Sequence, residues 1–133
     1  MLSDIIELRS FYNSTLGHLA EHSIARAIEQ VWAKMPNERL VGLGYALPWL
    51  DRLREGTERV LALMPASQGA VNWPANGPSA TALVFEEELP LYDSSIDRIL
   101  MVHALEHAEN PRETLMEAWR VLAPGGRLVI VTP

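Results

Sequence analysis

The tail of this chain limits its fold more than any other stretch. Residues 89–133, LPLYDSSIDRILMVHALEHAENPRETLMEAWRVLAPGGRLVIVTP, read as strand, loop, helix, turn, strand. Within them, residues 96–102 (IDRILMV) are a short apolar and β-branched run, the pattern of a strand buried on both faces of a parallel sheet. Asn110 and Pro111 open a helix, Asn110 as N-cap and Pro111 at the first helical position. Leu115, Ala118, Trp119 and Leu122 then recur at helical spacing. Ala123-Pro124-Gly125-Gly126 stops that helix, because proline cannot continue it and glycine supplies a positive-φ turn. Residues 127–132 (RLVIVT) read as a second buried strand. Two parallel strands joined through a helix form a βαβ unit, which is right-handed.

Upstream, the 133-residue chain continues the same alternation. Ser3 and Asp4 cap a short helix to about Tyr12, and Asn13-Ser14 interrupts it. Between residues 15 and 35, Leu16, Leu19, Ala20, Ile24, Ile28, Val31 and Trp32 mark the apolar face of a helix that Pro36-Asn37 ends. This N-terminal helix is expected to shield one sheet face. Strand β1 is expected at 39–43, a helix at 48–54 closed by Gly56, β2 at 59–64 and β3 at 82–85. Residues 96–102 are then β4, and 127–132 are β5. The stretch 65–81, PASQGAVNWPANGPSAT, holds three prolines and two glycines, so it reads as a functional loop or an irregular crossover rather than a helix. The expected architecture is α/β: a doubly wound, Rossmann-like, mostly parallel sheet of order 3-2-1-4-5 preceded by an N-terminal helix, with the ligand crevice at the β1/β4 switch point. A single domain is expected over 1–133, divided into a helical segment at 1–36 and an α/β core at 37–133.

Composition narrows the function classes. An apolar content of 48 % supports a real core, to which four Trp and five Met add bulk. The chain has no cysteine, which removes disulfides and thiolate metal sites and fits a cytoplasmic protein. A net charge of −6 argues against a nucleic-acid surface, which needs a clustered basic face. No apolar run approaches the roughly 18 residues of a membrane span. The N-terminal MLSDIIELRS has the pattern of neither a signal nor a transit peptide. The expectation is therefore a cytoplasmic protein with neither a nucleic acid nor a membrane as partner.

The order LPL-x-x-x-S-I-D-R-I-L, then LEH-x-x-x-P, then RVLAPGGRLVIVTP closely resembles the second half of class I S-adenosylmethionine-dependent methyltransferases of the type 11 kind. That resemblance implies S-adenosylmethionine as cofactor and methyl transfer to a small molecule or a protein side chain. It also implies a β6/β7 hairpin after β5, whereas this sequence stops at Pro133, so a fragment of a longer protein is expected. In the family, the loop after β1 is glycine-rich so that backbone can approach the methionine part of the cofactor. Here Gly44 sits at the first family glycine, with Tyr45 after it. Gly42 replaces the acidic residue that orients the methionine amino group, and Ala46 and Pro48 replace the later glycines. Met64 stands where a carboxylate at the end of β2 takes the ribose hydroxyls, and a thioether accepts only weakly. Phe85 and Glu86 align with the adenine contacts after β3; Phe85 suits stacking but accepts no hydrogen bond. Val102, followed by His103, aligns with the residue that touches the methionine part. Glu86, Glu87 and Asp51 are candidate substitutes for the missing polar groups.

Other constellations carry less. His103-Ala104-Leu105-Glu106-His107 matches H-x-x-E-H, an inverted zinc-protease pattern, but it follows a strand instead of lying deep in a helix. No metal is expected. His103 and His107 are substrate-side polar groups if methyl transfer occurs, or satisfied structural histidines. Glu86-Glu87-Glu88 alternates faces at a strand end and does not converge. Trp49 and Trp73 flank loops near the expected crevice, as pocket lining or as core. The first reading is a methyltransferase with a small-molecule or protein substrate. The alternative is a non-catalytic methyltransferase-like module that binds a protein partner or a second copy through the β5 edge.

Overall fold

A computed structural model of the chain describes residues 5–32, 37–69, 73–74 and 79–133. Its elements are helices α1 (Ile5–Tyr12) and α2 (Thr15–Val31), strand β1 (Arg39–Gly44), helix α3 (Leu47–Leu53), strands β2 (Arg59–Pro65), β3 (Thr81–Val84) and β4 (Ile96–Val102), a 3-10 turn (Leu105–His107), helix α4 (Pro111–Val121) and strand β5 (Leu122–Val131). The strands form one parallel sheet in the order β3-β2-β1-β4-β5. This is the doubly wound, Rossmann-like order expected from the sequence. The chain reverses direction of winding between β1 and β4, whose register runs from Leu40 beside Arg98 to Gly44 beside Val102.

The period of two along a strand sorts the core into two faces. Leu40, Ala62, Met64, Leu100 and Val102 pack with Leu8, Tyr12, Ile28, Trp32, Trp49 and Leu50, on the side of α1, α2 and α3. Val41, Leu43, Leu63, Ile99 and Met101 pack with Ala118 and Val121 of α4 on the other. Gly42 lies under α3, where an added Cβ would fall 2.6 Å from Leu50 Cδ1, so its lack of a side chain lets that helix seat on β1.

The helices bear out the sequence expectation in part: of the face expected in α2, Ile28 and Trp32 are buried and Ala20 and Ile24 pack against the core, while other positions turn outward. In α2, Leu16, Leu19 and Val31 are exposed, while Gly17, Ala25 and Ile28 are buried and Trp32 follows buried at the C-cap. The cause is Gly17. An added Cβ there would lie 1.9 Å from the Phe11 carbonyl oxygen, so α1 and α2 touch backbone to backbone at that point, and the contact sets the rotation of α2. Ser14 caps α2, its Oγ accepting from Gly17 N–H at 3.0 Å. The expected cap at Ser3-Asp4 and the expected helix end near residue 35 lie outside the described residues. In α4, Trp119 is 81 % exposed, and the inward positions are Thr114, Ala118 and Val121. Pro111 opens the helix as expected, but the Asn110 side chain makes no cap bond; its carbonyl accepts from the Thr114 N–H and hydroxyl instead. Strand β5 begins at Leu122, earlier than expected: Leu122 pairs with Ile96, the register shifts, and Arg127 pairs with Arg98. β3 ends at Val84, which leaves Phe85 beyond the strand in a tight bridge to Glu88.

Ion pairs tie the segments together. The Arg39 guanidinium donates to Asp97 at 3.1 Å across the starts of β1 and β4, and Arg98 donates to Glu38 at 2.7 Å. Arg120 of α4 donates to Glu117 and Asp93 and to the carbonyls of Leu89 and Leu91, which clamps the loop after β3 onto the helix.

Candidate functional site

The C-terminal ends of β1 and β4 meet where the sheet switches direction, the position at which open α/β sheets bind ligands. Gly44 has φ 91°, and a Cβ on it would sit 2.2 Å from the Val102 carbonyl oxygen. Tyr45 N–H donates to that same oxygen at 2.8 Å. The glycine therefore serves close approach, and what it approaches is the backbone of β4. Tyr45, Ala46 and Val102 are buried beside it.

Helix α1 places Tyr12 over this junction. Its ring stacks on Tyr45 with centroids 5.3 Å apart and meets the Trp49 indole edge-on at the same distance. Burial raises both tyrosines; for Tyr12, with Tyr45 and Glu106 adding to the effect, the pKa is pushed up to about 12. The Tyr12 hydroxyl and His103 Nε2 are 2.7 Å apart, and His103 Nδ1 is 2.8 Å from Glu106 Oε2.

His103 sits in the left-handed region at φ 51°, uncommon for a residue with a side chain. Its backbone is held at both ends: the N–H donates to Val131 O at 3.1 Å, and its carbonyl accepts from Gln68 Nε2 at 2.6 Å. Gln68, buried just after β2, also gives its own carbonyl to Ile5 N–H of α1. The H-x-x-E-H pattern thus lies on a bend and a 3-10 turn, so its histidines do not have the one-turn helical spacing of a zinc pair. What the pattern holds is the His103–Glu106 contact.

The other sequence candidates scatter. Met64 is buried in the core on the α1–α3 side. Phe85 is 69 % exposed beyond β3, and Glu86 next to it is buried. Asp51 accepts from the Trp73 indole N–H at 2.8 Å, and the Arg54 guanidinium lies over the same ring. Gly44, Tyr45, Ala46, Val102 and His103 are brought together; Gly42 belongs to helix packing. The sequence reading passed over Tyr12 and Gln68. Tyr12 appeared only as a helix end, and Gln68 lay in a stretch without periodicity. Glu106 was visible only through its spacing from His103.

For the cofactor that the resemblance implies, the donor set is uneven but suitable. The buried Met64 offers nothing to a diol. Glu86 is a buried acidic residue in the turn after β3, and Gln68 and His103 add polar groups at the same end of the sheet. These groups suit a ligand that carries hydroxyls and a cationic end.

Comparison with known proteins agrees with this geometry. A family model for a methyltransferase domain matches residues 40–130, from β1 through β5. An uncharacterised 37.1 kDa protein in a transposon of Streptomyces fradiae is 32 % identical over 101 residues, which are 76 % of this chain and 25 % of that protein. A demethylmenaquinone methyltransferase of Tropheryma whipplei is 51 % identical over 43 residues, 32 % of this chain and 18 % of that protein. A SAM-dependent methyltransferase structure from Aquifex aeolicus superposes with a TM-score of 0.66 at 17 % identity, over 96 % of this chain and 71 % of that one. One from Thermotoga maritima does so at 0.60 and 24 %, over 83 % of this chain and 50 % of that one. The chain spans only a quarter or less of the lengths of these two sequence relatives. Five parallel strands in this order, a switch point closed by Gly44 against β4, and a family match across all of them together place the chain in the methyltransferase-domain family.

Proposed function

We propose that this chain is the cofactor-binding part of a methyltransferase that moves a methyl group from S-adenosylmethionine to a small molecule or a protein side chain. The observation that carries the reading is the family match over 40–130, which takes in both sides of the switch point. The cofactor supplies a methyl group activated on a sulfonium. The chain's own task is to bind and to orient, since in-line placement of a nucleophile can supply about 7–11 kcal/mol of barrier reduction. Backbone at Gly44 and Tyr45 sets the floor of the crevice, and the Glu86 carboxylate takes the hydroxyl contacts that Met64 cannot make. Tyr12, Tyr45 and Trp49 wall the site from water, which strengthens polar contacts inside it. Calorimetric titration of S-adenosylmethionine and S-adenosylhomocysteine into the purified chain tests the reading. Binding near the micromolar range, about −8 kcal/mol, is expected; a folded protein that binds neither ligand would sink it.

A second reading has its own support. β5 is the outermost strand among the described residues, and the run Leu128–Val131 carries neither charge nor proline to deter pairing. Beside it lies an apolar groove shared with Ile24, Ala27 and Val31 of α2. In this reading the module docks a partner strand, or a second copy, along β5. Sedimentation of the purified chain separates the two: a monomer that binds S-adenosylhomocysteine leaves only the enzyme reading.

A further inference from the structure

Tyr12, His103 and Glu106 come from α1, from the end of β4 and from the turn after it, yet they form one continuous hydrogen-bonded chain. For a neutral His103 imidazole, chemistry fixes its polarity. A carboxylate only accepts, so His103 carries a proton on Nδ1 toward Glu106 Oε2. The neutral imidazole then has its lone pair on Nε2, and Tyr12 is the donor of the 2.7 Å bond. Buried Tyr12, pushed up to about 12, keeps its proton and can play that part. On Nε2 there is thus a phenol hydroxyl aimed at a lone pair, the arrangement of an alcohol about to give up its proton.

The imidazole is held for this. Its backbone is pinned to β5 and to Gln68 in a left-handed conformation that costs about 1–3 kcal/mol in a residue with a side chain. Glu106 fixes the ring from the far side, as the third member of a nucleophile–base–orienter series does. The second oxygen of Glu106, Oε1, is buried with no hydrogen-bond partner among the described residues. A carboxylate in that state gains from positive charge on the ring next to it.

The geometry points to His103 as the proton acceptor for methyl transfer to a hydroxyl group, with Glu106 as its positioning residue and the Tyr12 phenol standing where the acceptor hydroxyl goes; this rests on the methyltransferase reading above. As the acceptor O–H bond breaks, its proton passes to Nε2. The oxygen's electron pair forms the new bond to the methyl carbon, whose bond to the sulfonium sulfur breaks with its pair left on sulfur. A methyl ether and a neutral thioether result, and the imidazolium beside Glu106 returns its proton to solvent. The acceptor class is a phenol or an acidic alcohol that displaces the Tyr12 hydroxyl.

The test uses 4-nitrophenol, whose phenolate alone absorbs visible light, with the purified wild-type chain and His103→Asn, Glu106→Gln and Tyr12→Phe variants, below the probe's own pKa. Asparagine keeps the left-handed backbone and glutamine keeps the shape of Glu106, so these proteins fold if the fold tolerates any change here. Wild type is expected to convert bound probe to phenolate. His103→Asn is expected to bind it without ionising it, and Glu106→Gln to ionise about tenfold less. Tyr12→Phe, which removes the hydrogen bond that the probe must displace from Nε2, is expected to bind the probe about tenfold more tightly. Nitrogen-15 spectra should place the His103 proton on Nδ1 in wild type and redistribute it in Glu106→Gln. Equal ionisation by His103→Asn, weaker probe binding by Tyr12→Phe, or no probe binding by any protein overturns the inference. None of these readouts needs the cofactor. S-adenosylhomocysteine affinity, measured on the same proteins, reports on the methyltransferase reading separately: its absence in wild type overturns that reading and the methyl step with it, whereas its retention without probe ionisation overturns only the role of His103.

Discussion

At the residue scale, Gly44 meets two demands that no other residue type meets together. Its φ of 91° is open to glycine, and the space where a Cβ would stand is taken by the Val102 carbonyl at 2.2 Å. Gly56 meets only the first: its φ is 82°, and nothing lies within 4 Å of an added Cβ. The pair makes a controlled comparison. Gly56→Ala should cost about 1–2 kcal/mol, the left-handed penalty alone. Gly44→Ala should cost more, on the order of 3–4 kcal/mol, because β1 and β4 must also separate. Urea unfolding with an unchanged m-value reads both. Equal losses would mean that the contact with β4 is slack. The family resemblance aligned Gly44 with its first glycine and Gly42 with its acidic position, and in the structure Gly42 admits helix α3. A glycine shows that something comes close and not what it is.

At the scale of elements, α2 separates apolar pattern from burial. Leu16, Leu19 and Val31 satisfy the helical period, and all three are exposed, at 66 %, 64 % and 56 %. A period says which residues share a face; the neighbour decides which face turns inward. Here the neighbour is α1, touching at Gly17. Gly17→Ala should therefore loosen the α1–α2 corner and with it Tyr12, at a cost of about 2 kcal/mol or more. Ile28→Ala, at 3 % exposure, should cost about 2–5 kcal/mol. Leu19→Lys should stay within about 0.5 kcal/mol of wild type. Thermal and urea midpoints of the three variants check the rotation: a large loss for Leu19→Lys would restore the face read from the sequence.

At the scale of the whole molecule, acid is the condition to which this fold is exposed. The Arg39 guanidinium, bonded to Asp97, holds that carboxyl below its usual range, although burial opposes the shift. Arg120 does the same for Glu117, also against burial. Both groups bind fewer protons folded than unfolded across the carboxylate range. Their stabilisation is complete above the unfolded values, about 3.9 for Asp and 4.3 for Glu, and is lost as pH falls through the folded ones. Unfolding free energy should therefore decline as the pH drops below about 4. Asp97→Asn should start less stable at neutral pH and decline less steeply, which urea unfolding across that range would show. An unchanged slope would mean that the link between β1 and β4 contributes nothing.

By itself, the sequence determined the sheet. Strands β1, β2 and β4 lie between neighbours, so their apolar runs are nearly continuous and are read without knowing what packs on them. Pro111 and the Ala123–Gly126 break bound the crossover helix because their constraints are local to the backbone. From those strands and the crossover followed the order 3-2-1-4-5 and the place of the crevice. Part of the candidate site's assembly was legible for the same reason: Gly44, Tyr45, Val102 and His103 stand at strand ends and come together there. The tertiary structure alone decided what surrounds them. Tyr12 reaches His103 across 91 residues of sequence, a distance over which no spacing rule carries information. Trp119 points to solvent and Met64 into the core because the side a helix or strand presents is settled by its packing partner. Backbone preference is written residue by residue along the chain; the meeting of three side chains from three segments exists only once the chain has folded.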